Sequence, residues 1–325
     1  MFYKNQKYVI GVDGGGTKTI AVLTDLNGKI LTQAKTGSSN ILKTNIELAI
    51  NNIVKTLNQV SQKYSKEKIV FIYIALAGGL ERDEKKKKEI KKQLLEKQEL
   101  SWVYSENFLI ESDLKAAFRA GTEQNQGVLL IAGTGSIVVG WNKNKEAIVG
   151  GWDYLLGDQG SGFWIGQKAL RQTCSYVDGL SPKALLDEVI LKKLKIKTEA
   201  DLMRKIYHSE AIKTIASVSF LVNLAAEKGD KTAKQILIEA ANELAIRVNL
   251  IIQKLNFRDK KFPLILAGSV FRSKIVLTQV KKEIKKFAPQ TDFILLKQKP
   301  VIGAIKLAIE NYKNSLIKKT KTKTS

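Results

Sequence analysis

The chain has 325 residues, 44% of them hydrophobic and 26% charged, which is typical of globular proteins and long enough for about two domains. Its net charge of +23 comes from 47 lysines and only 7 arginines, whereas base recognition and forked phosphate contacts favour arginine. No apolar run approaches the roughly 20 residues that cross a bilayer, and the polar N-terminus leads into a strand without a signal peptide. The single cysteine, Cys174, excludes a disulfide framework and a cysteine-held metal cluster. We therefore expect a cytoplasmic protein that binds neither nucleic acid nor membrane.

The first half of the chain predicts three antiparallel strands followed by helices that alternate with strands. Runs of β-branched and apolar residues predict strands over 8–12, 19–23, 29–34, 68–77 and 107–110. Apolar residues at helical spacing predict helices over 45–64, 82–98 and 113–120. The resulting order is β-β-β-α-β-α-β-α.

The second half repeats this order with additional helices inserted after its third strand. The predicted strands cover 127–132, 137–141, 146–149, 262–266 and 293–296. The predicted helices cover 163–177, 182–194, 199–207, 211–228, 231–255, 271–287 and 301–312. From residue 314 onward the chain is rich in Lys, Thr and Ser and is predicted to be disordered. The repeated order predicts a duplicated domain.

A glycine-rich turn follows the first strand of each half, at residues 13–17 and about 120 residues later at 133–136. A strand follows each turn, so neither is a dinucleotide-binding fingerprint, and the P-loop pattern is absent. Glycines permit positive φ and leave backbone N–H groups uncovered, and successive free N–H groups bind anions. The two turns therefore predict phosphate-binding hairpins. Thr134 and Ser136 would add hydroxyl donors to the second, and Asp13 would lie near a metal in the first, with Lys18 nearby.

Asp113 stands where a predicted strand ends and a helix opens, which allows two interpretations. Either Asp113 or Ser112 would serve as a helix N-cap, whereas an acidic side chain at a strand end is also where a general base would lie. Gly268 and Ser269 follow another strand, where they form either an ordinary turn or a place for a ligand to approach the backbone.

Three further features are less specific. The glycine-rich loop 150–162 contains Gly151, Trp152 and Asp158, and loops of this length are usually functional. His208, between two helices, is predicted to lie on the surface. Cys174, on the apolar face of a helix, is predicted to pack in the core.

These motifs together resemble the sugar kinases of the actin, hexokinase and heat-shock chaperone superfamily. The similarity covers roughly residues 7–312 and is greatest to the N-acetylglucosamine kinase-like group, which shares its family with the BadF/BadG-type ATPases. The resemblance rests on the two hairpins, on Ser39-Asn40, Ser112-Asp113, Gly150-Gly151-Trp152, Gly157 to Ser161, Ala226 with Gly229-Asp230, and Ala267-Gly268-Ser269. It implies an α/β fold of two ribonuclease H-like (actin-like ATPase) domains around a central cleft. The expected boundaries are 1–118 with helix 300–313 packing back, 119–299, and a disordered tail over 314–325.

The resemblance also implies an ATP-dependent amino-sugar kinase that phosphorylates the 6-hydroxyl of N-acetylglucosamine or glucosamine. Asp113 would be the general base and Asp13 would hold Mg²⁺. The implied nucleotide-binding residues are Gly14, Gly15, Gly16, Thr17, Lys18, Gly133, Thr134, Gly135, Ser136, Ala226, Gly268 and Ser269. The implied sugar-binding residues are Asn40, Asp113, Gly151, Trp152 and Asp158. A homodimer is a family expectation.

One departure and three alternatives remain. Ala77 stands before Gly78-Gly79 where relatives that bind the N-acetyl sugar can carry Ser, so other sugars, such as N-acetylmuramic acid, stay open. A BadF-type activator ATPase that acts without a sugar would need cysteines to hold a cluster, and Cys174 lies far from the matching place. A sugar-sensing transcription regulator would carry a helix-turn-helix, for which no room precedes the first strand.

Overall fold

The computed structural model describes residues 6–321 of the chain, with side chains to residue 317. These residues form two compact units, each built around a five-stranded sheet. The first unit contains the chain up to Glu123 together with the segment from Leu296 onward, and the second contains Gln124–Leu295. Among the residues described, no helix has both the length and the apolar character needed to span a bilayer.

The sheet of the first unit has the order β3-β2-β1-β4-β5. Its strands are β1 (Tyr8–Gly14), β2 (Thr19–Asp25), β3 (Ile30–Thr36), β4 (Ile69–Leu76) and β5 (Phe108–Ser112). The first three strands pair antiparallel, and β4 and β5 run parallel to β1. Six of the seven β1 residues are buried, as expected for the central strand of a sheet covered on both faces.

Four helices cover this sheet: α1 (Ile46–Ser61), α2 (Glu84–Leu95), α3 (Asp113–Gly121) and α11 (Pro300–Lys321). Helix α1 begins where the Asn45 side chain accepts the Leu48 N–H, and it buries an apolar stripe that includes Ile53 and Leu57. Helix α11 packs against α3 and β1, and only glycine fits at the crossing. A Cβ on Gly303 would lie 1.8 Å from the Ala116 carbonyl oxygen.

The sheet of the second unit has the order β10-β9-β6-β7-β8, which matches the first sheet strand for strand. Its strands are β6 (Gly127–Ala132), β7 (Ser136–Asn142), β8 (Lys145–Gly150), β9 (Phe262–Ala267) and β10 (Thr291–Leu295). Strands β6, β7 and β8 pair antiparallel, while β9 and β10 continue parallel to β6. The predicted duplication and α/β class are thereby confirmed.

The helices of the second unit form the insertion after β8, plus one helix between β9 and β10. They are α4 (Asp153–Leu156), α5 (Gly162–Val177), α6 (Leu185–Leu194), α7 (Glu199–Ile206), α8 (Ala211–Glu227), α9 (Lys231–Lys254) and α10 (Lys274–Phe287). Helices α5 and α8 pack so closely at Gly166 that a Cβ there would lie 1.9 Å from the Ile215 carbonyl oxygen. Buried residues of α8 and α9 and of strands β6 and β9 form one large core.

The structure departs from the sequence predictions in three places. The single turn α4 lies inside the loop that was predicted to be irregular, since four residues are too few to show a period. Helix α11 includes residues 314–321, which were predicted to be disordered, because no Gly or Pro follows Gly303 to stop it; residues 322–325 lie outside the described chain. Cys174 is exposed on α5, so the prediction that it packs in the core is wrong, whereas His208 is exposed as predicted.

Candidate active site

The predicted residues of the first unit gather at one edge of its sheet. Gly14 on β1 is level with Leu76 on β4, and Leu76 is level with Ser112 on β5. The next residue after this row is Gly15 of the glycine-rich turn on one side and Asp113 on the other. They follow β1 and β5, which are separated by β4. Adjacent strands lie about 4.8 Å apart, so the turn and Asp113 are about 10 Å from each other across the edge. Sequence order alone does not bring them together; the parallel register does.

The first hairpin, residues 13–18, is held open by the loop that follows β3. The Gly15 carbonyl oxygen accepts hydrogen bonds from the Ser39 N–H (3.3 Å) and the Ser38 hydroxyl (3.2 Å). A trans peptide points its N–H opposite to its C=O, so the Gly16 N–H faces away from these serines. Among the described residues, neither the Gly16 nor the Thr17 N–H has a backbone acceptor. The first hairpin therefore presents free donors that an anion can accept.

Gly14 is required by packing in this hairpin. A Cβ on Gly14 would lie 2.4 Å from both Leu76 Cδ2 and Ser39 Oγ. Gly15 has more room, since its Cβ would meet only the Lys18 carbonyl oxygen, at 3.4 Å. Thr17 and Lys18 are exposed at the tip of the turn.

Asp13 lies at the carboxyl end of β1, half-buried beside the hairpin. Burial raises the pKa of its carboxyl above the ordinary value, and the charge of Lys18 opposes this shift. No group of three His, Cys, Asp or Glu side chains that could hold a metal occurs in the part of the chain described. A single carboxylate suits Mg²⁺, which keeps several waters and takes its remaining ligands from substrate phosphates. Asp13 is the candidate residue for such an ion.

Asp113 is the first residue of α3, and Ser112 is its N-cap, with the Ser112 hydroxyl accepting the Leu114 N–H (3.3 Å). Ser112 is therefore the N-cap, and the Asp113 carboxyl is not needed to cap the helix. Burial, together with the negative charges of Asp13 and Glu81, raises the pKa of Asp113 to about 6. A carboxylate with a pKa near the working pH is suited to accept a proton from a hydroxyl.

Asn40 is buried in the loop after β3, close to the Gly78-Gly79 turn that follows β4. Its side-chain oxygen accepts the Leu42 N–H (2.9 Å), and a Cβ on Gly78 would lie 3.3 Å from the same oxygen. Gly78 and Gly79 adopt φ of 126° and 75°, which β-carbons disfavour. No described residue accepts from the Asn40 amide nitrogen, so its two N–H donors are available to a ligand.

The second hairpin, residues 133–136, is oriented by the start of α5. The Gly162 N–H donates to the Gly133 carbonyl oxygen (2.7 Å), and the Phe163 N–H donates to the Thr134 carbonyl oxygen (3.1 Å). By the same trans-peptide geometry, the N–H groups of Thr134 and Gly135 point away from α5. Neither has a backbone acceptor in the described chain. This turn also presents free donors, and here a helix terminus fixes their direction.

Ser136 is fully engaged inside the unit, contrary to the prediction that its hydroxyl is a free donor. Its N–H donates to Asp158 Oδ1 (2.9 Å), and its hydroxyl donates to the Gln159 carbonyl oxygen (3.0 Å). Its carbonyl oxygen accepts the Gly151 N–H (3.0 Å). Two of the three predicted loop residues, Gly151 and Asp158, therefore lie directly beside the hairpin. The structure assigns Ser136 to holding the turn, because burial leaves its donors no other partner.

Asp158 is buried with φ of 59°, and burial raises the pKa of its carboxyl. Its second carboxylate oxygen lies against Gly135, since a Cβ placed there would come within 2.5 Å of Asp158 Oδ2. Trp152 is 59% exposed and precedes α4, with Gly157 folded back against it. The loop that leaves β8 at Gly150 thus returns at Asp158 to the start of the neighbouring strand, β7.

Gly268 lies on the opposite side of the second hairpin. It follows β9 with φ of 108°, and a Cβ on it would lie 2.1 Å from the Ala132 carbonyl oxygen. Ser269 comes next, at the start of a short 3-10 turn. Ala226 is buried near the end of α8, about two turns along that helix from Ser219, whose hydroxyl lies near Gly162. The structure therefore brings Gly268, but not Ala226, into contact with the hairpin.

Two charged residues at the first sheet edge were not predicted. Glu81 lies 3.4 Å from the Ser112 hydroxyl, and Lys43 lies against Gly16. Lys43 stands in the loop after β3 and Glu81 in a short 3-10 turn after Gly79, and neither segment has a recognisable motif. Their only signal is position, since Glu81 follows the Gly78-Gly79 turn and Lys43 follows Asn40 by three residues.

Two duplicated α/β units with a glycine hairpin at one edge of each sheet are the arrangement that the motifs predicted. The model of the BadF/BadG/BcrA/BcrD ATPase family matches residues 10–308 of this chain. The chain belongs to that family, which confirms the resemblance found from the motifs.

Two curated relatives match nearly the whole chain. The N-acetylmuramic acid/N-acetylglucosamine kinase of Clostridium acetobutylicum is 35% identical, over 93% of this chain and 98% of that protein. The N-acetyl-D-glucosamine kinase of Dictyostelium discoideum is 32% identical, over 95% of this chain and 100% of that protein.

Solved structures confirm the fold. A protein from Chromobacterium violaceum, described as a candidate N-acetylglucosamine kinase, superposes with a TM-score of 0.70 at 21% identity, covering 93% of this chain and 99% of that one. At this identity the likeness concerns the fold.

Proposed function

We propose that this protein is an ATP-dependent kinase that transfers a phosphoryl group to the 6-hydroxyl of an amino sugar, N-acetylglucosamine or a close relative. The observation that carries the proposal is the Asp113 carboxyl, with its pKa of about 6, on the same sheet edge as the free N–H groups of the first hairpin. The full-length similarity to two amino-sugar kinases supports the same reaction.

In this proposal Asp113 accepts the proton of the attacking sugar hydroxyl. Its raised pKa keeps the carboxylate basic enough to take that proton while leaving it ionised at neutral pH. The separation of about 10 Å between Asp113 and the hairpin leaves space for a sugar hydroxyl next to the base and a phosphate next to the turn. Asp113 would then act on the sugar hydroxyl, and the N–H groups of the hairpin would act on the phosphate.

The hairpins position the nucleotide phosphates. Phosphoryl transfer requires mainly the positioning of reactants and the neutralisation of charge, and backbone N–H groups in a fixed turn do both. Thr17 and Thr134 add exposed hydroxyls at the tips of the two turns. Mg²⁺, held on the protein side by Asp13, would supply further neutralisation of phosphate charge when bound. The adenosine would contact Ala226, Gly268 and Ser269.

The proposed sugar-binding residues are those that the resemblance implies. Asn40 offers two amide donors next to the Gly78 turn, and Asp113 offers its carboxylate. Gly151, Trp152 and Asp158 would contribute from the loop after β8. Because Ala77 lacks the hydroxyl that some relatives offer before the Gly-Gly pair, N-acetylmuramic acid and glucosamine belong in the same test as N-acetylglucosamine.

The experiment is to measure ADP release with Mg-ATP and each of several acceptors. The panel contains N-acetylglucosamine, glucosamine, N-acetylmannosamine, N-acetylmuramic acid, glucose and no sugar. We expect release with one or two amino sugars and its loss in Asp113→Asn. Asp292→Asn, at an exposed position on β10, is the matched control.

Two outcomes would contradict the proposal. ADP release that is equally fast without any sugar would indicate a partner-driven ATPase. Release that is sugar-dependent but equal in Asp113→Asn and Asp292→Asn would remove Asp113 from the mechanism.

A further inference from the structure

Lys43 covers the first hairpin, although it lies outside every motif. A Cβ built on Gly16 would be 3.3 Å from both Cδ and Nζ of Lys43. The end of the lysine side chain therefore rests on the glycine. A Cβ at position 16 would require the lysine side chain to shift by a few tenths of an ångström.

A chain of hydrogen bonds ties the backbone of Lys43 to the same hairpin. The Lys43 N–H donates to the Asn40 carbonyl oxygen (3.0 Å), and the Asn40 N–H donates to the Ser38 hydroxyl (3.3 Å). That hydroxyl in turn donates to the Gly15 carbonyl oxygen (3.2 Å). Because the loop and the hairpin are joined in this way, the fold places the backbone of Lys43 beside the hairpin, and its exposed side chain extends over Gly16.

Lys43 is a cation at this sheet edge that has no carboxylate partner among the described residues. In the described part of the chain, no carboxylate forms an ion pair with Lys43, and its ammonium donates no hydrogen bond. Three carboxylates meet near the same edge, since Asp13 and Glu81 both act on Asp113. A polyphosphate entering this site would be repelled by them, and Lys18 is the one cation that the motif supplies. A second cation over the free N–H groups would offset this repulsion.

We propose that Lys43 is a phosphate-binding residue whose ammonium contacts the nucleotide phosphate bound at the first hairpin. This inference rests on the proposed function and adds to it a residue outside the glycine motif. Lys43 would strengthen nucleotide binding and neutralise phosphate charge, while Asp113 would act on the acceptor hydroxyl. The Lys43 ammonium would reach the anion from the loop after β3, whereas Lys18 belongs to the hairpin itself. The two lysines would therefore flank the turn.

The test compares Lys43→Met, Lys43→Arg and Lys55→Met. Methionine keeps the apolar stem that rests on Gly16 and removes the charge, and Lys55 is an exposed lysine on α1 that serves as the control. Calorimetry measures the ATP dissociation constant of each protein at several salt concentrations. We expect Lys43→Met to weaken ATP binding about tenfold, as loss of a charge-assisted hydrogen bond does. We also expect a shallower salt dependence, with both effects largely rescued by Lys43→Arg.

The outcomes separate this proposal from the proposed function. Wild-type protein that binds ATP, with Lys43→Met and Lys55→Met binding equally well, would overturn the role of Lys43 and leave the kinase intact. Weaker binding in both Lys43 variants at an unchanged salt slope would also overturn it, because a purely structural role predicts that result. Binding that depends on Lys43 in a protein whose ADP release ignores sugar would support Lys43 and reject the sugar kinase. Wild-type protein that binds no ATP would reject both.

Discussion

The two glycine hairpins occupy equivalent places in the two sheets but differ in what surrounds them. The first has carboxylates and lysines around it: Asp13, Glu81 and Asp113 on the sheet edge, and Lys18 and Lys43 on the turn. The second is enclosed by backbone, with α5 on its carbonyl side and Gly268 against Ala132. A charged residue beside it, Asp158, accepts the Ser136 N–H. The two copies therefore share the turn, and we propose that the side chains around the first one carry the chemistry.

The largest expected effect tests that assignment of chemistry to the first unit. Asp113→Asn keeps size and polarity but cannot accept a proton, so we expect the turnover number to fall by about 10² or more, the scale of a positioned general base. ATP affinity, measured separately by calorimetry, should stay within about twofold because the hairpin is untouched. A similar loss of turnover in Asp292→Asn would show that the effect is not specific to the site.

The second prediction concerns the glycines of the second hairpin. A Cβ at Gly135 would lie 2.5 Å from Asp158 Oδ2, whereas a Cβ at Gly133 would meet nothing within 4 Å. Gly135→Ala must displace the carboxylate and leave the Ser136 N–H buried without its acceptor, which costs about 1–3 kcal/mol. If the turn must keep its shape to bind phosphate, ATP affinity falls roughly 5- to 150-fold.

Gly133→Ala is the matched comparison for stability: a Cβ there meets no protein atom, so we expect it to leave the melting temperature nearly unchanged, whereas Gly135→Ala lowers it. Equal effects of Gly133→Ala and Gly135→Ala would mean that the Asp158 contact does not shape the second hairpin.

The third prediction is a pH dependence that originates in the first unit. The pKa of Asp113 is raised to about 6, and a general base must be ionised to act. We expect kcat/KM to fall about tenfold between pH 7 and pH 5, with one acidic limb near pH 6. The profile of Asp113→Asn, measured on its residual activity, should lack this limb. A limb that persists in the variant would assign the titration to another group.

The sequence predicted the hairpins and Asp113 because each depends on local features, namely a strand, a glycine run and the strand end that follows. It did not predict the partners of Ser136, because Asp158 lies 22 residues further along the chain. A residue type alone does not say which donors the fold has already used. Lys43 was missed for the same reason, since its contact with Gly16 depends on how the loop after β3 folds back.

The smallest expected effect is on stability, and it follows from the burial of the Asp113 carboxyl and from the like charges near it. The pKa of Asp113 is higher in the folded protein than its ordinary value of 3.8, so folding favours the protonated form. The ionised carboxylate therefore destabilises the fold, by an amount that is absent below about pH 4 and grows as pH rises through 6. Asp113→Asn, which is neutral at every pH, should melt higher than wild type at pH 7.5, by about 2–4 °C for each kcal/mol relieved.

At pH 4 the advantage in melting temperature should shrink toward zero, because the wild-type residue is then largely protonated. Calorimetric melting of both proteins at the two pH values checks this, with Asp292→Asn as the exposed control. A variant that melts lower than wild type at pH 7.5 would indicate that Asp113 stabilises the fold through contacts other than charge. A higher melting point combined with lost turnover is the result expected of a residue whose position serves catalysis at the expense of stability.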